Sequence, residues 1–247
     1  MEKLRLDTLL VQRGLVSTRE EARGLIMAGK VRVGKRVIDK PGLRFRESDS
    51  ITLLGARPFV SRGGIKLDHA LKMFGIPVAD AVALDIGAST GGFTHCLLLR
   101  GAKRVYALDV GRGQLELKLR SDPRVVVMER TNAHYPFALP EQVDLVTVDV
   151  SFISLEKVVP NALEHLKEKG WILALVKPQF EAGRRQVGKG GLVKDTRVHA
   201  QVLGKFILWS IDQGLRFRDL TPSPIPGAKG NREFFVLLQK PSSIGTG

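Results

Sequence analysis

From residue 82 onward, short apolar runs alternate with longer amphipathic stretches, and this alternation restricts the possible folds more than any other feature of the chain. The candidate strands are VALDI (82–86), RVYALDV (104–110), RVVVM (124–128), DLVTVDV (144–150), WILALVK (171–177), a weaker FRDLTPS (217–223) and REFFVLLQ (232–239). Mostly apolar strands that alternate with helices are typical of sheets buried on both faces. The pattern therefore predicts an α/β fold with an open, mainly parallel sheet covered by helices on both sides.

The first 56 residues have a different pattern, which predicts a small α+β domain. Its predicted elements are a helix at 4–13, a second helix from Ser17 to Gly29, a hairpin at 31–38 and a strand at 46–54. Ser17 and Glu20 form a capping box at the start of the second helix. We expect a linker at 57–60, and then the α/β domain at 61–247, which begins with a helix in SRGGIKLDHALKMFG (61–75).

The chain is strongly basic. It has 39 Lys and Arg against 25 Asp and Glu, for a formal net charge of +14. Such a balance indicates a polyanionic partner, most often a nucleic acid, although an inert basic surface is the alternative. In the small domain, basic side chains crowd the second helix and the hairpin. The predicted RNA-binding residues are Arg5, Arg19, Arg23, Lys30, Arg32, Lys35 and Arg36.

Several classes of protein are disfavoured by composition. The single cysteine, Cys96, excludes an internal disulfide and any multi-cysteine metal site, and no histidine spacing indicates a metal, so we expect none. The N-terminus lacks the apolar core of a signal peptide, and no stretch approaches the ~20 apolar residues of a membrane span. We therefore expect a cytoplasmic protein without a membrane partner.

Charged residues follow four of the predicted strands. Asp85, Asp109, Asp149 and Lys177 each stand at or near a strand end. Because open α/β sheets bind ligands at the carboxyl ends of their strands, the four together predict one site. The alternative is that each of them pairs locally.

A glycine-rich stretch, DIGASTGGFT (85–94), connects the first of these strands to a helix. It is not a GxGxxG dinucleotide motif, and it has no phosphate-binding lysine. Asp109, at the end of the next strand, can accept both hydroxyls of a ribose. These features favour a nucleoside-like cofactor without phosphate, namely S-adenosylmethionine (SAM). The predicted cofactor-binding residues are Asp85, Gly87, Ser89, Gly91, Gly92, Phe93, Asp109 and Asn132.

Methyl transfer to a ribose 2′-hydroxyl requires a base, and Lys177 is the candidate. A lysine acts as a base only when it is neutral, whereas free lysine is protonated at neutral pH. Asp149, one strand away, would orient the amine, and Lys66 is a second lysine that could assist. Glu233 begins the last strand and would lie at the same sheet edge if that strand is antiparallel.

These four residues resemble the Lys-Asp-Lys-Glu tetrad of the FtsJ-type ribose 2′-O-methyltransferases. The resemblance implies a Rossmann-like, SAM-dependent methyltransferase in which Lys177 is the general base, while Lys66, Asp149 and Glu233 position the ribose and tune that lysine. Residues 5–41 resemble the RNA-binding domain named after ribosomal small-subunit protein S-four.

The chain as a whole resembles the TlyA family, also labelled hemolysin A. The motifs that carry this resemblance are VSRGGIKL, LDIGASTGGFTHCLL, VDVSFISL, LVKPQFEAGR and GNREFF. It implies 2′-O-methylation of cytidine in 16S and/or 23S ribosomal RNA (rRNA), with rRNA or ribosomal subunits as partners.

Two other functions remain open at this stage. One is a non-catalytic RNA-binding or ribosome-assembly factor, which would not bind SAM. The other is a membrane-active hemolysin, which would cause leakage of liposomes. The basic, glycine-rich stretch GRRQVGKGGLVKD (183–195) is expected to be a mobile loop that also serves as a lid or RNA clamp.

Overall fold

The computed structural model describes residues 3–16, 18–55 and 58–242. The chain forms two compact units, Met1–Pro58 and Phe59–Gly247, and the division between them falls within the predicted linker. No helix among the described residues is long and apolar enough to cross a bilayer.

The N-terminal unit is a small α+β structure. Its elements are β1 (Lys3–Arg5), α1 (Leu6–Gln12), α2 (Arg19–Met27), β2 (Val31–Val33), β3 (Arg36–Ile38), β4 (Arg44–Arg46) and β5 (Ile51–Leu53). Strands β3, β2 and β5 form one antiparallel sheet, and β1 pairs with β4 in a separate ribbon. Helices α1 and α2 pack through Leu6, Leu10 and Ile26 against Val31 of the sheet.

Two predictions for this unit are wrong in detail. The helix predicted at 4–13 begins only at Leu6, because the preceding residues pair with β4 as a strand. Within the strand predicted at 46–54, only Ile51–Leu53 (β5) and Arg46, the last residue of β4, are in strands. Between them lies a turn in which the backbone N–H of Arg46 donates to Asp49. Ser17 lies outside the described residues. Thr18 caps α2 by accepting the N–H of Glu21 at 3.1 Å.

The C-terminal unit alternates strands and helices as predicted. Its elements are α3 (Arg62–Phe74), β6 (Val82–Ile86), α4 (Gly92–Leu99), β7 (Arg104–Leu108), α5 (Leu117–Arg120), β8 (Val125–Met128), β9 (Val143–Val148), α6 (Val159–Leu163), β10 (Leu166–Val176), α7 (Pro178–Glu181), α8 (Thr196–Asp212), β11 (Arg216–Pro222) and β12 (Phe234–Gln239). Short 3₁₀ turns lie at Leu155–Lys157, Arg184–Gln186 and Ala228–Gly230.

The strands form one seven-stranded sheet in the order β8-β7-β6-β9-β10-β12-β11. The first five are parallel, and β12 runs antiparallel to both of its neighbours. Strand side chains alternate between two apolar cores: Leu84 and Ile86 face α6 and α8, whereas Ala83 faces α3 and α4. The predicted fold class, a Rossmann-like sheet with helices on both faces plus a small α+β unit, is confirmed.

The antiparallel direction of β12 brings residues from both ends of the C-terminal unit to one sheet edge. Val176, the last residue of β10, pairs with Phe234, the first residue of β12. Lys177 and Glu233, which flank this pair, therefore lie at the edge where β6, β7 and β9 also end.

Candidate active site

Lys66 and Glu233 form a buried ion pair. Lys66 extends from the first turns of α3, and its Nζ lies 2.5 Å from Oε2 of Glu233. Their residues are only 8% and 3% exposed, so each charge depends on the other for compensation. Gly227 makes this approach possible, because a Cβ there would lie 1.8 Å from the Glu233 carboxylate.

Lys177 and Asp149 form a second pair. Nζ of Lys177 lies 2.6 Å from Oδ1 of Asp149, at ion-pair distance but without hydrogen-bond alignment. The amine donates instead to Oγ of Ser151 at 3.0 Å, and it lies 6.0 Å from the centre of the Phe180 ring. Lys177 is 8% exposed. Asp149 and Ser151 thus fix the position of a nearly buried amine.

One cavity joins the two pairs. It has a volume of about 130 Å³, and Lys66 and Asp149 both line it, beside Gly92 and Phe93. The structure therefore places one member of each pair on this cavity, with its partner, Glu233 or Lys177, directly behind it.

A larger cavity adjoins this one and shares Gly87, Ser89 and Asp149 with it. Its volume is about 380 Å³, and its wall includes Asp109 and Asn132. Asp109 is held in place by two backbone N–H groups, from Ser89 at 2.8 Å and Gly111 at 2.7 Å. A carboxylate has about four acceptor positions, so Asp109 keeps the capacity to accept hydroxyl groups of a ligand.

The glycine loop depends on backbone conformations that most residues avoid. Gly87 has a φ of 84°, and a Cβ there would lie 2.5 Å from the carbonyl oxygen of Asp149. The loop therefore passes directly against the end of β9. This contact brings the backbone of the loop next to the tetrad.

Two of the predicted cofactor-binding residues do not line either cavity. Asp85 is fully buried, where its carboxylate accepts the hydroxyls of Thr94 at 2.6 Å and Thr147 at 3.0 Å. Burial raises the pKa of Asp85 to about 7. Gly91 starts α4 with a φ of 90°, and it faces the side chain of Leu119. Both residues therefore contact protein atoms rather than a cavity. The other six predicted residues line the cavities.

The predicted RNA-binding residues of the N-terminal unit fall into two groups. Arg5 and Arg19 both contact the buried carboxylate of Asp7, at 2.9 and 3.4 Å. The hydrogen bonds from Arg5 hold the pKa of Asp7 well below its usual range. The second group is exposed on α2 and around the β2–β3 hairpin: Arg23, Lys30, Arg32, Lys35 and Arg36.

The matches to protein families decide the classification. The FtsJ-like methyltransferase family matches residues 59–240, which is most of the chain, and the S4 domain matches residues 4–51. This chain belongs to the FtsJ-like methyltransferases.

Relatives of this FtsJ-like methyltransferase are similar over almost their whole length. The candidate rRNA methyltransferase YqxC of Bacillus subtilis (strain 168) is 49% identical, over 97% of this chain and 87% of the relative. The 16S/23S rRNA (cytidine-2'-O)-methyltransferase TlyA of Mycobacterium tuberculosis is 45% identical, over 96% and 90%. A solved structure of a candidate hemolysin from Streptococcus thermophilus is 43% identical, with a TM-score of 0.73 over 98% and 90%. The resemblance to the TlyA family is confirmed.

Sequence reasoning gave no role to Phe152, which lines the larger cavity. Phe152 is 90% exposed, has a φ of 64°, and packs against Phe180 with the ring centres 4.8 Å apart. Its neighbour Ser151 holds Lys177. The motif VDVSFISL contains both residues, but a positive φ at a phenylalanine has no signature in the sequence.

Glu181 was also missed, and it braces the segment that carries these two residues. Its carboxylate accepts the hydroxyl of Ser154 at 2.7 Å and the backbone N–H of Leu155 at 2.8 Å. Burial raises the pKa of Glu181 above its usual value. The carboxylate therefore ties α7, directly after Lys177, to the loop that follows β9.

Proposed function

We propose that this FtsJ-like methyltransferase transfers a methyl group from SAM to the ribose 2′-hydroxyl of a cytidine in 16S and/or 23S rRNA. The observation that carries the proposal is that Lys66 and Asp149 line one cavity at the carboxyl edge of the sheet, and that each is paired there with a further tetrad residue, Glu233 and Lys177. The name of the Mycobacterium tuberculosis relative supports the choice of cytidine and of rRNA.

The residues around the larger cavity fit SAM. Asp109 supplies carboxylate oxygens for two ribose hydroxyls, Asn132 supplies an amide beside the same wall, and Gly87 allows close approach of the backbone. The loop contains no lysine that would call for a phosphate. Asp149 lines both cavities, so a cofactor in the larger one would lie next to the tetrad. When bound, SAM would supply the methyl group from its sulfonium and would leave as a neutral thioether.

Lys177 removes the proton of the 2′-hydroxyl. A neutral amine has two N–H groups and one lone pair. One N–H donates to Ser151, and Asp149 lies at ion-pair distance, so both residues hold Nζ in place while its lone pair takes the proton of the ribose. The near-complete burial of Lys177 limits access of water to the amine. The proton moves to Nζ while the ribose oxygen gains the methyl group.

Lys66 positions the attacking ribose. Its charge is compensated by Glu233, and it also lines the cavity beside Asp149. An ammonium has three donors, and the pair with Glu233 uses one of them. The others are available for oxygen atoms of the ribose.

Phe152 provides a surface for the target base. An exposed aromatic ring beside a catalytic lysine suits a base that has been turned out of its helix, since bases stack on aromatic side chains. Its contact with Phe180 supports the ring from behind. The S4 domain supplies the remaining contacts with RNA, and a ribosomal substrate implies that the protein works in the cytoplasm.

The proposal is tested with tritiated SAM on unmodified 30S and 50S particles, followed by mapping of the labelled ribose. We expect label on one or a few cytidine 2′-oxygens, and none when the target nucleotide carries a 2′-deoxyribose. Label on a base, or on a 2′-deoxy substrate, would contradict ribose methylation. Titration of SAM with and without RNA tests the non-catalytic alternative, because an assembly factor of that kind would bind no SAM in either case.

A further inference from the structure

A third cavity lies in the C-terminal unit, next to the start of β12. Its volume is about 450 Å³, which exceeds that of each of the two cavities described above. Residues 222–226, at the end of β11 and in the turn after it, form one wall, and Gly230, Arg232, Glu233 and Phe234 line the rest. Three residues of the wall are prolines, so this space is named here the proline cavity. The sites proposed for SAM and for the methylated ribose do not use it.

The Lys66–Glu233 ion pair separates the proline cavity from the small cavity of the tetrad. Lys66 lines the small cavity, Glu233 lines the proline cavity, and Nζ and Oε2 of the pair are 2.5 Å apart. Only Oε2 of Glu233 is hydrogen-bonded to a side chain among the described residues. Since a carboxylate has about four acceptor positions, Glu233 can accept further donors from a ligand. The two cavities are therefore neighbours across one ion pair.

The wall of the proline cavity is held in a fixed shape. Each of its three prolines fixes its own φ angle. The hydroxyl of Ser223 donates to the carbonyl oxygen of Ile225 at 2.7 Å, and the backbone N–H of Ser223 donates to the carbonyl oxygen of Glu233 at 2.8 Å. Arg62 of α3 donates to the carbonyl oxygen of Pro226 at 2.5 Å. The cavity is thus preformed, which lowers the cost of binding a ligand.

The lining of the proline cavity also includes a cation on an anchored backbone. Arg232 is exposed and forms no ion pair within the described part of the chain. The residue before it, Asn231, is buried: its Oδ1 accepts the N–H of Val193 at 3.0 Å, and its Nδ2 donates to the carbonyl oxygen of Gly191 at 2.8 Å. These bonds fix the point from which the Arg232 side chain extends.

The groups around the proline cavity fit a nucleotide. An arginine pairs with a phosphate, a carboxylate accepts a hydroxyl or an amino group, and an apolar wall with an aromatic ring contacts the flat face of a base. The volume lies in the range of roughly 300–1,000 Å³ that is typical of sites for small molecules. An acidic peptide is a poorer ligand, because Glu233 would repel its carboxylates.

The connectivity of an RNA substrate brings a second nucleotide to this part of the molecule. The nucleotides on either side of the methylated one are joined to its ribose, so they must lie against surfaces next to the small cavity. The larger cavity fits SAM. The proline cavity adjoins the small cavity across the Lys66–Glu233 pair and is therefore a recess that a neighbouring nucleotide can occupy.

We propose that the proline cavity binds the nucleotide next to the methylated one, with its base against the prolines and its phosphate at Arg232. This inference rests on the proposed function. A nucleotide in this cavity contacts Glu233, the partner of Lys66, which positions the target ribose. The enzyme therefore selects a cytidine by its neighbour as well as by its own base.

The test fills the cavity with Ile225→Trp and removes the neighbouring base from the RNA. The substrate is a hairpin that contains the cytidine mapped in ribosomal particles, either intact or abasic on the 5′ or the 3′ side. We expect one abasic hairpin to lower the wild-type kcat/KM about tenfold, as for the loss of one stacked base. Ile225→Trp should lower kcat/KM about tenfold on the intact hairpin and show no further loss on the abasic one, because both changes remove the same contact.

Two further variants complete the kinetic test. Ile211→Trp is the matched control, since Ile211 is 49% exposed on α8; it should keep the wild-type kcat/KM and the tenfold loss on the abasic hairpin. Arg232→Gln should raise KM for the hairpin several-fold, with kcat and melting temperature unchanged, because Arg232 is exposed and unpaired. If Ile225→Trp melted well below the wild type, Arg232→Gln would decide the outcome.

Three kinetic results would overturn the inference. The first is a wild-type kcat/KM that is unaffected by an abasic site on either side. The second is additive losses from Ile225→Trp and the abasic hairpin. The third is a loss in Ile225→Trp that is seen with ribosomal particles and not with the hairpin, which would indicate a segment of a ribosomal protein as the occupant.

The methyl resonance of Ile225 gives a readout that does not depend on methyl transfer. Titration of the wild type with the trinucleotide ACA, without SAM, should shift this resonance, and the same strand without its two adenine bases should not. Equal shifts, or no shift with either strand, would also overturn the inference. Failure of the wild type to methylate rRNA would refute the proposed function, whereas this titration would still show whether a base enters the proline cavity.

Discussion

Asp85 and Asp149 belong to neighbouring strands, yet the fold gives their carboxyl groups different surroundings. Asp85 lies beneath the glycine loop, bonded to two threonines and closed off from solvent. Asp149 lies at the cavity beside Lys177. In sequence both are aspartates that follow apolar residues. The difference comes from their positions: Asp85 lies within β6, between β7 and β9, whereas Asp149 follows the last residue of β9.

The buried carboxyl of Asp85 makes the stability of the protein depend on pH. Because burial raises the pKa of Asp85 to about 7, the unfolded chain loses this proton at a lower pH than the folded protein does. Its contribution to stability therefore falls as the pH rises from about 4 to about 7. Asp85→Asn does not titrate and can still bond both threonines. We expect this variant to gain stability relative to the wild type between pH 5 and pH 8, as measured by urea unfolding.

Asp122→Asn is the control for this prediction. The hydrogen bond from Arg124 lowers the pKa of Asp122, so that its contribution is present above the unfolded pKa and is lost only in acid. The control should be slightly less stable than the wild type by the same amount at pH 5 and pH 8. If the difference in unfolding free energy between Asp85→Asn and the wild type did not change with pH, the raised pKa of Asp85 would be refuted.

Gly227 tests the Lys66–Glu233 pair without altering either charge. A methyl group at this position would overlap the Glu233 carboxylate, so Gly227→Ala should displace it from Lys66. We expect kcat for methyl transfer to fall at least tenfold, with SAM affinity nearly unchanged because Gly227 lines neither cavity.

Gly204→Ala is the matched control, since Gly204 lies within α8 with open space around it. It should keep full activity and gain roughly 0.5–1 kcal/mol of stability, as expected for alanine in a helix interior. If Gly227→Ala kept the wild-type kcat, the close approach of Glu233 to Lys66 would not be needed for catalysis.

At the scale of elements, the segment after β10 and the loop after β9 are joined at three places. Lys177 contacts Asp149 and Ser151, Phe180 packs against Phe152, and Glu181 binds the start of the following 3₁₀ turn. These contacts hold Lys177, its partners and the exposed ring of Phe152 in one arrangement.

Glu181→Gln should loosen this arrangement. An amide accepts only one of the two hydrogen bonds that the carboxylate accepts, so the hydroxyl of Ser154 would have to turn and accept from its NH₂ group. Because this turn shifts the loop that carries Ser151 and Phe152, we expect kcat/KM for rRNA to fall about tenfold. The melting temperature should change by only a few degrees, since both hydrogen bonds can still form. Steady-state kinetics with tritiated SAM would measure the effect.

Glu156→Gln is the control, since Glu156 lies in the same region and pairs only at the surface, with Lys205 at 3.1 Å. Its activity should stay within twofold of the wild type. If both variants had the same kcat/KM, the hydrogen bonds of Glu181 to Ser154 and Leu155 would have no specific role in catalysis.

The sequence predicts best those elements whose residue pattern does not depend on tertiary packing. Buried strands such as Val82–Ile86 are continuous apolar runs, so they were placed almost to the residue. The ribbon formed by β1 and β4 was missed, because no turn joins its two short strands in sequence, as Gly34-Lys35 joins β2 and β3. Strand β10 begins at Leu166, five residues before the prediction, since its polar start and register shift hide the continuation.

The part of the candidate site that could be predicted consists of charged residues at the ends of recognisable strands. The four tetrad residues follow from those ends and from the family resemblance, although the place of Glu233 depended on the direction of β12. The burial of Asp85 and the exposure of Phe152 result from tertiary packing and from a positive φ. Neither is encoded in a local pattern.

At the scale of the whole molecule, charge and chemistry are distributed between the two units. The N-terminal unit presents the exposed cations of α2 and the hairpin. The C-terminal unit contains the two cavities and the tetrad. A formal net charge of +14 suits a protein whose substrate is a polyanion, and it makes RNA binding, unlike SAM binding, strongly dependent on salt.

The most direct test of the central claim is single-turnover transfer of tritium from labelled SAM to unmodified ribosomal particles by Lys177→Met. Methionine keeps much of the length of lysine but cannot accept a proton. We predict a rate at least 10²-fold below the wild type, with SAM affinity within twofold and with Lys103→Met as an unaffected control. A Lys177→Met variant that transfers the methyl group at the wild-type rate would contradict the claim that this lysine is the base.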